Sequence, residues 1–297
     1  MADSLLNNYN KKSSLSESGG EKADFYSDSL LSQVDSGLAF FKLSERNSRL
    51  NGQDASALSI LGENLDKQFR AASTIKIPIV AALFYEAMHK RLNLADLVAI
   101  SEADIVEGGI LCEVGVGRHF SWRELARLAI VISDNSASNL IIKKLGFTFI
   151  NSFIKDILQA HHTVLNRYFM ASPQEMGENY TTARDLALIM ASLWQGRILD
   201  KSYNDEFWAI LSRQQFIEKL PSRILGQVKS YNKTGELDDG ARHDAAVFTY
   251  KSHAWGLVAL TDQQKLPAWQ IDWAMGAWSE LIFHSLHQKA EGNRAFS

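Results

Sequence analysis

The chain has 297 residues, of which 46% are hydrophobic and 22% charged, with a formal net charge of −3 and a pI near 6.3. This balance is typical of a globular protein with one large domain or two subdomains. It argues against nucleic acid as the main partner, because phosphate binding needs a concentrated basic face. The lone cysteine, Cys112, excludes an internal disulfide and a cysteine-based zinc cluster.

Residues 1–24 are polar and rich in serine, asparagine and lysine, which predicts a disordered segment. They lack the apolar core of a secretory signal. The longest apolar stretch, residues 77–85, is far shorter than the ~20 residues that cross a bilayer, so we expect no membrane span. The sequence as it stands predicts a cytoplasmic protein, although an exported protein that had lost its signal would carry the same pattern.

Short apolar segments follow this polar start. Residues 25–34 have the pattern of a helix, and residues 36–43 and 57–63 have the pattern of strands. The turn-forming sequence NGQD separates the two strands. From residue 73 to about residue 214 the apolar period becomes helical.

Capping residues mark this helical block. Ser121 and Glu124 form an S-x-x-E capping box ahead of an apolar helical face. Gly146 is placed to end the next helix, and Thr182 to begin a third. The intervening residues 161–181 are predicted to form a long loop.

After residue 225 three strand-like segments return, and an amphipathic helix follows Pro267. This order predicts an α+β fold, in which an antiparallel sheet flanked by helices is completed across an inserted all-helical subdomain. We assign residues 25–72 and 215–297 to the α/β subdomain and residues 73–214 to the helical one. The active site is expected in the cleft between them.

The helical block opens on a serine and a lysine three residues apart, Ser73 and Lys76. Positions i and i+3 share a helix face, so the hydroxyl and the ammonium are predicted to be in contact. Taken alone, this S-x-x-K pattern is weak evidence, since it also occurs at residues 152–155 and 230–233. A lysine that extends its charged end to the surface explains any single match.

Two further triplets each occur once, S-D-N at residues 133–135 and K-T-G at residues 233–235. The order S-x-x-K, S-D-N, K-T-G resembles that of class A β-lactamases and penicillin-binding proteins. The resemblance runs from about residue 25 to the end of the chain. It implies a serine hydrolase that needs no cofactor and forms an acyl-enzyme on Ser73 with a small-molecule or peptide substrate.

The resemblance also implies catalytic roles for the matching residues. Ser73 is the nucleophile, Lys76 takes its proton, and Ser133 passes a proton to the departing nitrogen. A lysine can act as a base only when its pKa falls from about 10.4 to about 7, which costs roughly 4.6 kcal/mol of desolvation and charge repulsion. Burial and a neighbouring Lys233 are expected to supply this shift. A purely structural explanation is also open for each feature. In that explanation the S-D-N triplet ends one helix and caps the next, and Lys233 is a strand-edge charge that deters aggregation.

In the family that the chain resembles, two backbone N–H groups form the oxyanion hole. The N–H groups of Ser73 and Glu236 match them in this sequence. Each such donor contributes about 3 kcal/mol to lowering the barrier. Gly235 is expected to let the strand approach the substrate closely.

Three further residues match groups that bind the substrate in the family. Asn135 is expected to hold the substrate amide. Thr234 and Arg242 correspond to the groups that bind the substrate carboxylate, a task that suits the two-pronged guanidinium. An exposed arginine at the start of a strand is an equally ordinary explanation for Arg242.

The sequence departs from class A β-lactamases where a glutamate activates the deacylating water. Counting from a matching asparagine at residue 139, that slot holds Phe169, and Pro173 stands at a second expected asparagine. Arg167 resembles the arginine that anchors this loop. Glu175 and Glu178 are candidate replacement bases, although solvated acids ahead of a helix explain them more simply. We therefore expect slow deacylation.

Other chemistries have weaker support. His243 and Asp244 are adjacent on a strand and point to opposite faces, so they cannot form a relay with a serine. His161 and His162 lack a third ligand at helical spacing, so no metal is expected. Two alternative functions stay open: an intracellular amidase, esterase or acyl transferase acting on a non-β-lactam substrate, and a penicillin-binding sensor that is acylated once.

Overall fold

The computed structural model describes residues 34–47, 58–262 and 266–292. The predicted disordered segment, the NGQD turn and, apart from its last residue, the predicted helix at residues 25–34 lie outside this part of the chain. The strands, in chain order, are β1 Asp35–Leu43, β2 Ile60–Glu63, β3 Phe69–Arg70, β4 Leu97–Ala99, β5 His119–Ser121, β6 Tyr180–Thr181, β7 Lys229–Glu236, β8 Arg242–Tyr250 and β9 His253–Asp262.

The α-helices are α1 Lys76–Met88, α2 Leu111–Val114, α3 Trp122–Val131, α4 Asn135–Leu145, α5 Phe147–Ser152, α6 Pro173–Met176, α7 Ala183–Trp194, α8 Lys201–Leu211 and α9 Ala268–Gly292. A short 3₁₀ helix, Ala72–Ile75, leads directly into α1.

Five of the strands form one antiparallel sheet in the order β2-β1-β9-β8-β7. The first strand pairs with the last, so that Phe40 of β1 lies opposite Leu257 of β9. Strand β8 lies between β9 and β7. The helices α1 to α8 therefore come between β2 and β7 in sequence, and the predicted α+β fold is confirmed. The subdomain boundaries stay a prediction.

The middle strands of the sheet are buried on both faces, because helices cover each side. One core cluster joins Leu257 of β9 to Ile271 and Met275 of α9. A larger cluster joins Phe41 of β1 to the helical block. Successive strand residues point to opposite faces, so Phe40 and Phe41 contribute to different cores.

Helix α1 is the central element of the helical block. It is apolar around most of its circumference, and its residues from Lys76 to Phe84 are buried. Burial of each leucine- or isoleucine-sized side chain contributes about 1.5–3 kcal/mol of stability. A lysine at the first position of such a helix is necessarily removed from water.

The predicted helix boundaries are confirmed. The Ser121 hydroxyl accepts from the Glu124 N–H, and the Glu124 carboxylate accepts from the Ser121 N–H at 2.7 Å. Gly146, with φ of +80°, follows the last turn of α4, and Thr182 caps α7. The segment predicted as a loop, residues 161–181, contains the short helix α6, and its last residues pair with β3.

Within the described residues, no helix is both long and apolar enough to cross a membrane. The same residues include no group of three or more histidine, cysteine, aspartate or glutamate side chains arranged to hold a metal ion.

The start of α4 is fixed by a buried carboxylate. Asp134 accepts from the Ala137 N–H at 2.8 Å as the helix cap. Its second oxygen accepts from the N–H groups of Ile110 and Leu111 at 2.8 and 2.9 Å. One side chain therefore joins α4 to the loop that precedes α2.

Replacing Asp134 by alanine should lower the free energy of unfolding by about 3 kcal/mol, because a cap is lost and two buried N–H groups lose their acceptor. Asp200→Ala is the matched control, since Asp200 caps α8 with one bond to the Tyr203 N–H and is exposed. It should cost about 1 kcal/mol. Urea denaturation measures both values, and equal losses would contradict this account.

Candidate active site

A cavity of about 480 Å³ opens beside Ser73. Its wall combines the segment before α1, the loop before α2, the start of α4, the loop before α6 and the end of β7. The residues that line it include Ser73, Glu107, Asn135, Arg167, Phe169, Glu178 and Glu236. The nucleophile and amide residues predicted from the sequence are therefore brought to one concave surface.

Ser73 and Lys76 lie at the 3₁₀-to-α junction, where Ala72 has a left-handed φ of +46°. No hydrogen bond joins their side chains. The Lys76 amine donates to the Ser133 carbonyl at 2.6 Å and the Ser133 hydroxyl at 3.1 Å. Its third bond goes to the Asn135 amide oxygen at 2.7 Å. These acceptors occupy the three protons of an ammonium, and in the described part of the chain the Ser73 hydroxyl makes no hydrogen bond.

The predicted electrostatic environment of Lys76 is present. Burial lowers the pKa of Lys76 well below its usual value, and the Lys233 ammonium lowers it further, against an opposing effect of Asp134. The Phe169 ring lies 4.2 Å from the Lys76 nitrogen and favours the charged form. A lowered pKa makes it easier for the Lys76 ammonium to lose its proton.

Ser133 connects the two buried lysines. Its hydroxyl accepts from Lys76 at 3.1 Å and from Lys233 at 3.0 Å. Its backbone has a φ of +58°, which is left-handed and strained for a residue with a Cβ. Burial lowers the pKa of Lys233 to about 7, against the opposing effect of Asp244 and together with the repulsion of Lys219. The three groups form a continuous path for a proton.

Asn135 is held between the lysine and the cavity wall. Its amide oxygen accepts from Lys76, and its amide nitrogen donates to the Glu107 carbonyl at 2.8 Å. A Cβ on Gly108 would come within 2.7 Å of that nitrogen, so the glycine there leaves room for the amide.

Strand β7 runs close against the backbone of the nucleophile. A Cβ on Gly235 would lie 3.1 Å from the Ser73 nitrogen and 3.1 Å from the Thr74 nitrogen. Glu236 follows on the same strand and lines the cavity together with Ser73. The two residues predicted to supply the oxyanion hole thus share one wall, while the role itself stays a prediction.

Arg242 is already paired with carboxylates of the protein. Its Nε and NH2 groups donate to both oxygens of Asp272, at 2.7 and 2.5 Å, and NH2 also contacts Glu236 at 3.2 Å. Neither Arg242 nor the buried Thr234 is among the described residues that line the cavity. Their role in binding a substrate carboxylate stays a prediction that this geometry does not favour.

Phe169 stands at the position where the family resemblance predicts a glutamate. The Asn139 side chain holds the Phe169 backbone with two hydrogen bonds. Its amide oxygen accepts from the Phe169 N–H at 2.8 Å, and its amide nitrogen donates to the Phe169 carbonyl at 3.0 Å. The ring is buried against Lys76. An apolar side chain therefore lies where the resembling family would place a base.

Neither candidate replacement base is a free carboxylate beside the nucleophile. Glu178 lines the cavity, but both its oxygens are held by Arg167, at 2.9 and 3.0 Å. This pair closes the loop and identifies Arg167 as its anchor, as predicted. Glu175 lies on the exposed face of α6 and is not among the cavity-lining residues described.

His243 is a sheet residue, as predicted. It is buried and bonds to the Arg70 carbonyl at 2.7 Å and the Thr261 N–H at 3.2 Å. The sequence does not predict a role for Lys219, because it lies two residues before a proline in a polar segment, a pattern typical of an exposed turn. Its side chain is instead fully buried and contacts the carboxylates of Glu218 and Glu236.

The chain matches the beta-lactamase enzyme family over residues 44–285 and belongs to that family. It is 27% identical over 192 residues to β-lactamase ROB-1 of Haemophilus influenzae, covering 63% of this chain and 62% of that protein. The chain spans 28%, 52% and 62% of the lengths of three curated β-lactamases that it matches.

Solved structures show the same fold. A β-lactamase from Sphaerobacter thermophilus has a TM-score of 0.77 at 23% identity, covering 90% of this chain and 97% of that one. A variant of PBP-A, in an acyl-enzyme complex with penicillin G, has a TM-score of 0.71 at 24% identity and covers 89% and 97%.

Replacing Phe169 by leucine should lower the pKa of Lys76 further, because the ring that favours the ammonium is removed while the site stays apolar. The pKa is read from NMR titration of isotopically labelled lysine. Phe147→Leu is the control, since Phe147 contacts Tyr168 in the same loop and is not in contact with the lysine. An unchanged or raised pKa in the Phe169 variant contradicts the prediction.

Proposed function

We propose that the chain is a serine hydrolase whose Ser73 is acylated by β-lactam or D-Ala-type amides, and that the acyl-enzyme is hydrolysed slowly. The observation that carries the proposal is the arrangement around Lys76: a buried amine of lowered pKa bonded to Ser133, with the Phe169 ring on its other side.

Acylation needs a base for the Ser73 hydroxyl. The neutral Lys76 amine takes the proton as the serine oxygen attacks the carbonyl carbon. For this step one of the hydrogen bonds of Lys76 must be exchanged, because the free site directs its protons to Ser133 and Asn135. Substrate binding at Asn135 supplies such an exchange, since the substrate amide competes for the same side chain.

Collapse of the tetrahedral intermediate breaks the carbon–nitrogen bond, and the leaving nitrogen needs a proton. The Ser133 hydroxyl gives its proton to that nitrogen and is reprotonated from Lys76 or Lys233, both of which already donate to it. The negative oxygen is expected to accept from the N–H groups of Ser73 and Glu236, each contributing about 3 kcal/mol.

Hydrolysis of the acyl-enzyme needs a base for water. Four carboxylates line the described cavity, and two of them, Glu107 and Asp238, are exposed. Phe169 fills the position beside Lys76. Glu178 is held by Arg167, and Glu236 is held by Lys219 and Arg242. A general base contributes 10²–10⁴-fold to such a step, so without one the adduct should persist.

The test of acylation is intact mass after incubation with benzylpenicillin. The chain should gain the mass of one penicillin, and the Ser73→Ala variant should not. Failure to form the adduct, or formation of the same adduct in Ser73→Ala, would contradict the proposed chemistry.

Deacylation is tested separately by restoring a carboxylate. In Phe169→Glu the adduct should decay at least about 10²-fold faster, because a base then lies beside the nucleophile. Phe169→Gln is the matched control, with the same length and no base, and should decay at the parental rate. Equal decay in the two variants would show that residue 169 does not limit deacylation.

A second function is favoured by the charge pairs around Arg242. Because protein carboxylates already occupy that guanidinium, an amidase or esterase acting on a non-β-lactam substrate is a candidate. A panel of esters and peptides distinguishes the two. Hydrolysis confined to D-Ala-D-Ala mimics would exclude the second function.

A further inference from the structure

Five charged side chains of alternating sign form a chain at the β7 end of the cavity. In order of contact they are Glu218, Lys219, Glu236, Arg242 and Asp272. We call this group the charge chain. Each of its two cations is flanked by two carboxylates.

Glu236 is the member of the charge chain that reaches the cavity. Its side chain is 45% exposed and lines the cavity wall, whereas that of Lys219 is fully buried and that of Arg242 is 15% exposed. A single oxygen of Glu236, Oε1, accepts from both the Lys219 ammonium and the Arg242 guanidinium, the latter at 3.2 Å. It therefore bridges the two cations in the way that an oxygen of a bound carboxylate would.

The other bonds of the two cations point inward. Arg242 directs its Nε and NH2 groups to buried Asp272, and Lys219 contacts Glu218 at 2.7 Å. Burial raises the pKa of Glu236, but the attraction of Lys219, Arg242 and Lys233 outweighs it and leaves the pKa below its usual value. The Glu236 carboxylate is thus charged at neutral pH.

Resting on the function proposed above, we infer that Glu236 is a specificity-determining residue: its carboxylate fills the place of a substrate carboxylate, and the site prefers acyl donors that are uncharged at this end. A substrate anion entering here would meet the charge of Glu236 and two cations already paired. Like-charge juxtaposition of this kind weakens the binding of an anionic ligand relative to an uncharged one.

The probes are benzylpenicillin and its methyl ester, which share the reactive lactam and differ in the carboxylate. Second-order rates of adduct formation are measured for both by intact mass. The ratio of ester rate to acid rate is compared between the parent chain and Glu236→Gln. This ratio should exceed one in the parent and fall about tenfold or more in the variant, because one negative charge is removed and Lys219 and Arg242 each lose one carboxylate partner.

Glu218→Gln is the matched control. Glu218 contacts the same Lys219, its side chain is also 45% exposed, and it is not among the described cavity-lining residues. Its ratio should stay within about twofold of the parent, since the charge facing the substrate is unchanged. An equal fall in both variants would mean that Lys219, rather than the position of Glu236, sets the preference, and would overturn the inference.

The Glu236→Gln variant keeps Glu218 as a partner for the buried Lys219. If it still does not fold, the double variant Glu236→Gln/Lys219→Met removes the buried ammonium as well and should shift the ratio in the same direction through Arg242.

A second readout separates this inference from the proposed acylation. Equilibrium dissociation constants of both probes are measured in the Ser73→Ala background, with and without Glu236→Gln, where no covalent bond can form. Absence of any adduct in all serine-containing variants would reject the proposed acylation alone. An acid probe that binds no more tightly after Glu236→Gln would overturn the inference, whatever the adducts show.

Discussion

The site depends on one buried amine. Lys76 begins a helix that is apolar around most of its circumference, so the fold that buries the helix also removes the lysine from water. The desolvation cost of an ammonium there is what lowers its pKa. Ser133 and Asn135 offset part of this cost with three hydrogen bonds, and Phe169 adds the face of its ring. In the proposed mechanism, loss of this burial would raise the pKa of Lys76 and leave Ser73 without a base.

The same hydrogen bonds join the two halves of the site. Ser133 and Asn135 come from the start of α4, which Asp134 fixes by capping it and by tying it to the loop before α2. Lys233 reaches the Ser133 hydroxyl from β7. The sheet and the helical block therefore meet through charged and hydroxyl groups at the cavity, while their apolar contacts lie elsewhere.

Much of this could be predicted from the sequence, because local patterns determine it. The helix caps at Ser121 and Thr182 follow from capping chemistry, and the order of strands and helices along the chain follows from the apolar period. Phe169 could be placed only through the family resemblance, by counting from Asn139, because two helices and part of a loop separate the two residues. Contacts that depend on folding distant segments together could not be predicted. Lys219 carries no sequence signal of burial, and the pairing of Arg242 with Asp272 joins residues 30 positions apart on different elements.

The backbone of Ser133 has a further consequence. Glycine would adopt its left-handed conformation freely, whereas a residue with a Cβ gives up roughly 1–2 kcal/mol of folding free energy there. The chain thus sacrifices stability at one position to hold a hydroxyl between two amines. A glycine introduced there to increase heat resistance would remove the hydroxyl that we propose as the proton relay.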